Sequence, residues 1–271
     1  MMLNIKPIPA FADNYIWMLQ NDDSKQVVLV DPGDERKITH FFENNPLQLV
    51  AILITHQHYD HTGGVAKLVE KFPHVKVFCP DKIVSNPPLS IDLPIAELIT
   101  HPVTGGDKIE IMELGISFDV IDIPGHTLDH VAYFGEGALF CGDTIFGCGC
   151  GFLFSGTAEQ MAESMQRMSA LPAATKMYCA HEYTLDSIGF AKWVEPDNKD
   201  ILLRDKEDLA KQEKGLPTIP STLEIELKTN PFMRFGVTEV IAAAEKYAGK
   251  KLHTDGEVFA AIREWKNTEY D

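Results

Sequence analysis

Three histidines and one aspartate lie close together in the heptapeptide THQHYDH, residues 55–61. His56 and His58 are two positions apart, whereas Asp60 and His61 are adjacent, so the heptapeptide offers its donors as two sets. Neutral imidazole and carboxylate groups are ligands that Zn, Fe and Mn accept in proteins. Because clustered imidazoles carry a desolvation cost and bring no packing benefit, we interpret the heptapeptide as metal-binding, and its two sets indicate two ions.

Further donors are needed, because one heptapeptide cannot complete the coordination of two ions. Three later segments each place a donor at the end of an apolar, strand-like run: His126 in IDIPGHTLDH, Asp143 in ALFCGDT and His181 in KMYCAHEYT. The carboxylate of Asp143 could bridge the ions. A single histidine beside a strand is more often structural, but the four segments together favour a pair of divalent ions, which is a recurring device for hydrolysis.

The elements around the heptapeptide can hold polar side chains at the edge of a core. AILI at residues 51–54 is typical of a buried strand, and residues 63–72 repeat apolar side chains at helical spacing. The heptapeptide is therefore predicted to form a strand-to-helix loop. Such a loop can present polar groups without burying them unpaired.

Changes of pattern along the chain predict two parts. Residues 1 to about 180 alternate strand-like runs with fewer helical ones, as two packed sheets flanked by helices require. From Leu185 onward the pattern is helical, and two pairs with capping-box spacing mark helix starts: Ser221 with Glu224, and Thr254 with Glu257. We therefore predict an α+β chain with a catalytic domain at residues 1–181 and a helical, substrate-binding domain at residues 182–271.

The order of the motifs resembles that of the metallo-β-lactamase superfamily: THxHxDH, then a GH segment, a GDT segment and a late histidine at a strand end. This resemblance implies an αββα sandwich with a two-metal site at one edge. Further stretches resemble the hydroxyacylglutathione hydrolase (glyoxalase II) family: FADNYIW at 11–17, GCGFLFSGT at 149–157, AHEYT at 180–184, NPFMR at 230–234 and AIREWK at 261–266. The similarity covers almost the whole chain.

Carried over residue by residue, the resemblance implies two divalent metal ions per chain. One ion would be held by His56, His58 and His126, and the other by Asp60, His61 and His181, with Asp143 bridging them. Zn is the expected metal, and Fe and Mn stay open because they share these ligands.

The same resemblance implies hydrolysis of S-D-lactoylglutathione and related 2-hydroxyacylglutathiones to the hydroxy acid and glutathione, the second step of methylglyoxal detoxification. A water or hydroxide shared by the ions would attack the thioester carbonyl, since a divalent ion can lower the pKa of bound water to about 7. Asp60 is the catalytic candidate, because it could accept a hydrogen bond from the attacking hydroxide as well as ligate a metal.

The expected glutathione-binding residues include one departure from the family. The resemblance implies that Tyr183, Arg263 and Lys266 hold glutathione, although on its own a basic pair three residues apart is typical of a solvated helix face. Family members commonly have Lys or Arg after the GCG motif, where this chain has Phe152, and Phe154 stands where some members have Tyr. The departure predicts weaker glutathione binding or a different acyl or thiol preference.

Two other classes of function remain open. One is a different reaction of the superfamily, such as sulfur dioxygenation at mononuclear iron or phosphodiester cleavage, which the HEYT and NPFMR segments disfavour. The other is a non-catalytic binding protein, in which ligands are expected to be lost, whereas all seven positions are present. The number of metals bound per chain distinguishes a mononuclear iron enzyme from one with a two-ion centre.

The composition limits the partners. The 24 basic and 40 acidic residues give a formal net charge of −16, which argues against nucleic acid or an anionic membrane as partner. No run approaches the roughly 20 apolar residues of a membrane span, and the first residues do not resemble a secretion signal. Five cysteines, an odd number, favour reduced thiols. We expect a cytoplasmic monomer that acts on a small molecule.

Overall fold

The computed structural model of the chain describes residues 3–22, 24–85 and 95–270. Six strands form a first sheet in chain order: β1 (Leu3–Ala10), β2 (Asn14–Asn21), β3 (Gln26–Val30), β4 (Gln48–Leu53), β5 (Lys76–Pro80) and β6 (His101–Val103). The first three strands are antiparallel neighbours, whereas β3 to β6 are parallel. Every parallel connection contains a helix, as parallel pairing requires: α1 (Glu35–Asn44), α2 (Tyr59–Thr62), α3 (Val65–Lys71) and α4 (Asp81–Ser85), followed by a 3₁₀ turn at Ile95–Leu98.

The second six-stranded sheet has the order β14-β13-β10-β9-β8-β7. Its strands are β7 (Lys108–Ile111), β8 (Ile116–Asp122), β9 (Val131–Gly135), β10 (Ala138–Gly142), β13 (Lys176–Cys179) and β14 (Ser221–Thr222), and β7 to β10 form an antiparallel meander. Between β10 and β13 lies a short antiparallel hairpin of β11 (Ile145–Phe146) and β12 (Gly149–Cys150). Its second strand contains Gly149 and Cys150, the first two residues of the GCG segment.

The remaining helices that the structure describes lie in the C-terminal half. They are α5 (Ala158–Ser169), α6 (Thr184–Val194), α7 (Lys199–Gln212), α8 (Leu223–Thr229), α9 (Thr238–Ala248) and α10 (Asp255–Trp265), with a 3₁₀ turn at Pro231–Met233 and a π-helical turn at Lys266–Tyr270. None of the helices that the structure describes is long and apolar enough to cross a membrane.

The apolar runs of the sequence form the core of the first sheet. Leu29 of β3 and Ile52 of β4 are fully buried, and Ile38 and Phe42 of α1 pack in the same cluster with Leu68 of α3. Continuous burial along a strand is typical of parallel sheets whose faces are covered by helices.

Contacts divide the chain into two compact units. The first comprises residues 1–122 and 129–142, and the second comprises residues 123–128 and 143–271. The division into a catalytic domain that ends at residue 181 and a helical domain that begins at residue 182 stays a prediction.

One of the two predicted capping boxes is confirmed and the other is wrong. Thr254 and Glu257 form both bonds of a capping box at the start of α10. In contrast, α8 begins one residue later than the spacing of Ser221 and Glu224 predicts, and Thr222 is the residue that caps it. Ser221 lies in β14, and its hydroxyl donates instead to the buried carboxylate of Glu226 at 2.5 Å. The spacing alone could not reveal this competing acceptor.

Candidate active site

The heptapeptide lies between the end of β4 and the first turn of α2, as predicted for a strand-to-helix loop. His56 and His61 are fully buried, whereas His58 and Asp60 are half-buried. A Cβ at Gly33 would overlap the carbonyl of Asp60, so a glycine is needed where the loop after β3 passes this close. The loop is therefore held by its fit to neighbouring backbone.

Asp31, which the sequence patterns did not single out, orients one of the histidines. Its carboxylate accepts hydrogen bonds from the backbone N–H and the hydroxyl of Thr55, both at 2.8 Å. The same carboxylate lies 3.0 Å from Nδ1 of His61, which directs Nε2 of that ring away from Asp31. A carboxylate beside an imidazole can orient the ring and strengthen it as a ligand. The available signal was the position of Asp31 directly after the VVLV strand.

Three further contacts fix the rest of the loop. Nδ2 of Asn14 donates to Oδ2 of Asp60 at 2.9 Å, and the N–H of Gln57 donates to Oδ2 of Asp129 at 3.0 Å. The ring of His130 stacks on that of His56, with centroids 4.5 Å apart. The candidate catalytic carboxylate is therefore held by a side chain from β2.

The later donors follow the ends of strands, as the sequence predicts. Nδ1 of His126 lies 2.8 Å from the carbonyl oxygen of Phe152, and because a carbonyl can only accept, Nδ1 carries the proton and Nε2 is left as the ligand atom. Asp143 lies between two imidazoles, with carboxylate oxygens 3.5 Å from Nε2 of His126 and 3.4 Å from Nε2 of His181. The ring of Tyr183 stacks on that of His181 at 4.9 Å.

All seven predicted ligands fall into two groups that share Asp143. One group is His56, His58, His126 and Asp143, and the other is Asp60, His61, Asp143 and His181. Within each group, one ligand atom from each residue lies within 4.8 Å of the others. Buried imidazoles and carboxylates that converge in this way are the donor set of a divalent cation. The residues therefore fit metal ions, and a shared carboxylate fits two neighbouring ones.

The predicted glutathione-binding cations are buried rather than part of a solvated helix face. Arg263 is only 3% exposed, and its guanidinium donates to the carbonyl of Cys150 at 3.1 Å and to Oδ1 of Asn267 at 2.7 Å. Lys266 is 6% exposed and donates to Oδ2 of Asp186 at 3.0 Å. Burying two cations on one short segment is costly, so a purely solvent-facing role is excluded.

Phe152 and Phe154 form an exposed aromatic pair between a cation and a candidate metal ligand. The ring of Phe152 lies 4.8 Å from the guanidinium of Arg263, and its centroid is 6.3 Å from that of Phe154. Phe154 in turn meets the ring of His126 edge-on at 5.1 Å. Their exposed fractions are 48% and 67%, so both rings are open to a ligand.

The β11–β12 hairpin is hydrogen-bonded to Glu226 of α8 and to Asn230, which directly follows that helix. Glu226, which is fully buried, accepts hydrogen bonds from the N–H of Cys148 at 2.8 Å and from the guanidinium of Arg204 at 2.7 Å. Asn230 donates to the carbonyl of Gly149 at 2.9 Å. Burial raises the pKa of Cys148 to about 12, so its thiol stays neutral and its role is structural.

Comparisons with known proteins agree with this site. The family model of the metallo-beta-lactamase superfamily matches residues 11–181, and the model of the hydroxyacylglutathione hydrolase C-terminus matches residues 182–269. Among solved structures, the BLEG-1 B3 metallo-beta-lactamase has a TM-score of 0.61 at 23% identity, covering 86% of this chain and 99% of that one. ETHE1 from Myxococcus xanthus has a TM-score of 0.63 at 19% identity, covering 100% and 93%. With the two ligand groups, these matches define a divalent-metal-binding protein of the metallo-β-lactamase fold and confirm the predicted fold class.

Closer relatives narrow the class. A protein of Nitrosomonas eutropha named hydroxyacylglutathione hydrolase is 43% identical over 268 residues, covering 98% of this chain and 99% of the relative. One of the same name from Aliivibrio fischeri is 47% identical over 269 residues, with the same coverage. The chain therefore belongs to the hydroxyacylglutathione hydrolase family of the metallo-β-lactamase superfamily, and the predicted resemblance is confirmed.

Proposed function

We propose that this chain hydrolyses S-D-lactoylglutathione and related 2-hydroxyacyl thioesters of glutathione, releasing the hydroxy acid and glutathione. The observation that carries the proposal is the identity of 43% and 47% with two hydroxyacylglutathione hydrolases over nearly the full length of both chains. The C-terminal family match supports it further, because it includes the segments of Tyr183, Arg263 and Lys266. The reaction breaks the C–S bond and forms a C–O bond to water.

The proposed centre contains two divalent ions, with Zn expected and Fe and Mn as alternatives. His56, His58 and His126 would hold one ion, Asp60, His61 and His181 the other, and Asp143 both. When bound, such ions supply a water of lowered pKa and polarise the carbonyl that is attacked.

The side chains of the centre orient the reactants. Asp60, whose Oδ2 accepts from Asn14, would accept a hydrogen bond from the attacking water. His126 is held in one tautomer by Phe152 and His61 is oriented by Asp31, so neither imidazole needs to turn during the reaction. A thiol is already acidic, with an ordinary pKa of about 8.5, so glutathione can leave as a thiolate without a strong general acid.

Substrate recognition is proposed to rest on Tyr183, Arg263 and Lys266, with Phe152 and Phe154 beside them. Arg263 and Lys266 are buried cations that suit the carboxylates of glutathione. Phe152 holds the guanidinium of Arg263 by a cation–π contact but offers no charge itself. We propose that residues 1–181 form the catalytic domain and residues 182–271 the substrate-binding domain. It stays a prediction that the protein is a cytoplasmic monomer and that it binds neither nucleic acid nor membrane.

A substrate panel tests the proposal. We expect the Zn-loaded protein to hydrolyse S-D-lactoylglutathione, measured as loss of the thioester absorbance, and a chelator to abolish the activity. A β-lactam and a phosphodiester serve as competing substrates. Cleavage of either one, without thioester hydrolysis, would contradict the proposal.

A matched pair of arginine variants tests recognition in the same assay. Arg263→Met is expected to raise KM for S-D-lactoylglutathione by about tenfold or more, because a charge-assisted bond is lost. Arg167→Met is the control, since Arg167 lies on α5 and forms an exposed pair with Glu163. Equal KM values for the two variants would remove Arg263 from the recognition set.

A further inference from the structure

One of the two buried cations is already paired with a carboxylate that faces solvent. Nζ of Lys266 lies 3.0 Å from Oδ2 of Asp186, and the side chains are 8% and 60% exposed, respectively. Asp186 is the third residue of α6, which begins directly after Tyr183. The pair therefore lies on the same short segment as the aromatic residue that stacks on His181.

The direction of the Lys266 side chain does not depend on this ion pair alone. The residue is 6% exposed, so its aliphatic stem is packed, and Nζ lies 5.1 Å from the centroid of the Tyr270 ring. The hydroxyl of Tyr270 donates to the backbone carbonyl of Asp186 at 2.9 Å, and a Cβ at Gly189 would overlap that hydroxyl. The backbone on both sides of the pair is thus fixed, whereas the Asp186 carboxylate is largely in water.

We propose that Asp186 competes with a carboxylate of the glutathione moiety for Lys266, and so sets the affinity for substrate and product. This inference rests on the proposed function. An ammonium group has three N–H donors, and at least one of them already points at Asp186. An incoming carboxylate must either share the ammonium with Asp186 against like-charge repulsion or displace it. Displacement is feasible because an exposed carboxylate can be solvated by water.

The consequence of this competition is weaker holding of glutathione after the thioester is cleaved. A substrate carboxylate that reaches Lys266 must first displace Asp186, because the ammonium group is already in an ion pair. The net gain is smaller than for a lone ammonium, and product release is correspondingly easier. Asp186 is therefore a specificity-determining residue, because it reduces the preference for a thiol that carries carboxylates, such as glutathione.

The test is the isosteric variant Asp186→Asn. We expect both KM for S-D-lactoylglutathione and the inhibition constant of the product glutathione to fall about two- to fivefold, the range for a pair with one exposed partner. The difference from wild type should shrink at high ionic strength, because exposed charges are screened. The control is Asp205→Asn, which breaks the comparable Lys192–Asp205 pair on α6 and α7 and should change neither constant.

Direct binding separates this inference from the proposed function. Calorimetric titration with glutathione is carried out on wild type, Asp186→Asn, Asp186→Ser and the same variants in a Lys266→Met background. The gain in affinity should be smaller when Lys266 is absent. A raised KM with weaker glutathione binding would show that Asp186 positions Lys266 and would overturn the competition, as would equal gains in both backgrounds or no change at all. If glutathione binding responds as expected but S-D-lactoylglutathione is not hydrolysed, the proposed function fails instead.

Discussion

The candidate metal-ligand groups and the proposed glutathione-binding cations, Arg263 and Lys266, differ in how firmly their surroundings are held. In the first, His61 lies against the carboxylate of Asp31, and His126 lies against the carbonyl of Phe152. In the second, the cations are buried but their neighbours Phe152 and Asp186 are about half exposed or more. The contrast suggests that chemistry depends on fixed geometry, whereas substrate preference depends on a few adjustable surface groups.

The largest effect is expected from the carboxylate shared by both ligand groups. Asp143→Ala should lower kcat/KM for S-D-lactoylglutathione on the order of 10³-fold and reduce the metal content, because both candidate ligand groups would lose a donor. Asp119→Ala, at an exposed position of β8, is the control and should match wild type. Full activity in Asp143→Ala would remove the shared-ligand assignment.

Next in size is the loss of the buried carboxylate that supports the GCG hairpin. Glu226→Ala leaves Arg204 buried with one partner fewer, and we expect it to lower the free energy of unfolding by about 3–5 kcal/mol in urea denaturation. Glu224→Ala, which removes an exposed pair with Lys228 on the same helix, should leave the free energy of unfolding close to that of wild type. Similar losses for both variants would mean that the hairpin does not depend on Glu226.

A smaller effect should follow from changing the carboxylate behind His61. Asp31→Asn keeps the shape of the side chain but removes its charge, and we expect metal affinity to fall about 10- to 100-fold. Competition with a chromophoric chelator measures this directly. Unchanged affinity would show that the ligand geometry does not need Asp31.

The smallest effect is expected at Phe152, beside the proposed glutathione-binding cation Arg263. Phe152→Arg adds a cation beside the path from Arg263 to His126, and KM for S-D-lactoylglutathione should fall about tenfold. Phe152→Leu is the control, because it removes the ring without adding charge. If KM is the same in Phe152→Arg as in wild type, the missing charge has no part in recognition.

The same contrast explains what could be predicted from the sequence. The seven candidate ligands could be predicted because metal chemistry restricts residue types, and short motifs place them at strand ends. The Thr254–Glu257 capping box is equally local. Asp31 lies 24 residues from Thr55, its main hydrogen-bond partner, and its position after the VVLV strand does not indicate which residue it contacts. The burial of Arg263 and the link from Glu226 to Cys148, 78 residues away, arise from tertiary packing and are invisible to spacing rules.

The most direct test of the metal-ligand groups is a titration of the metal-free protein with Zn. Bound metal and hydrolysis of S-D-lactoylglutathione should be measured on the same samples. If two ions share Asp143, as proposed, activity should rise until two ions are bound per chain and then stay constant. Full activity at one ion per chain, or activity that survives complete removal of metal, would contradict a two-ion hydrolytic centre.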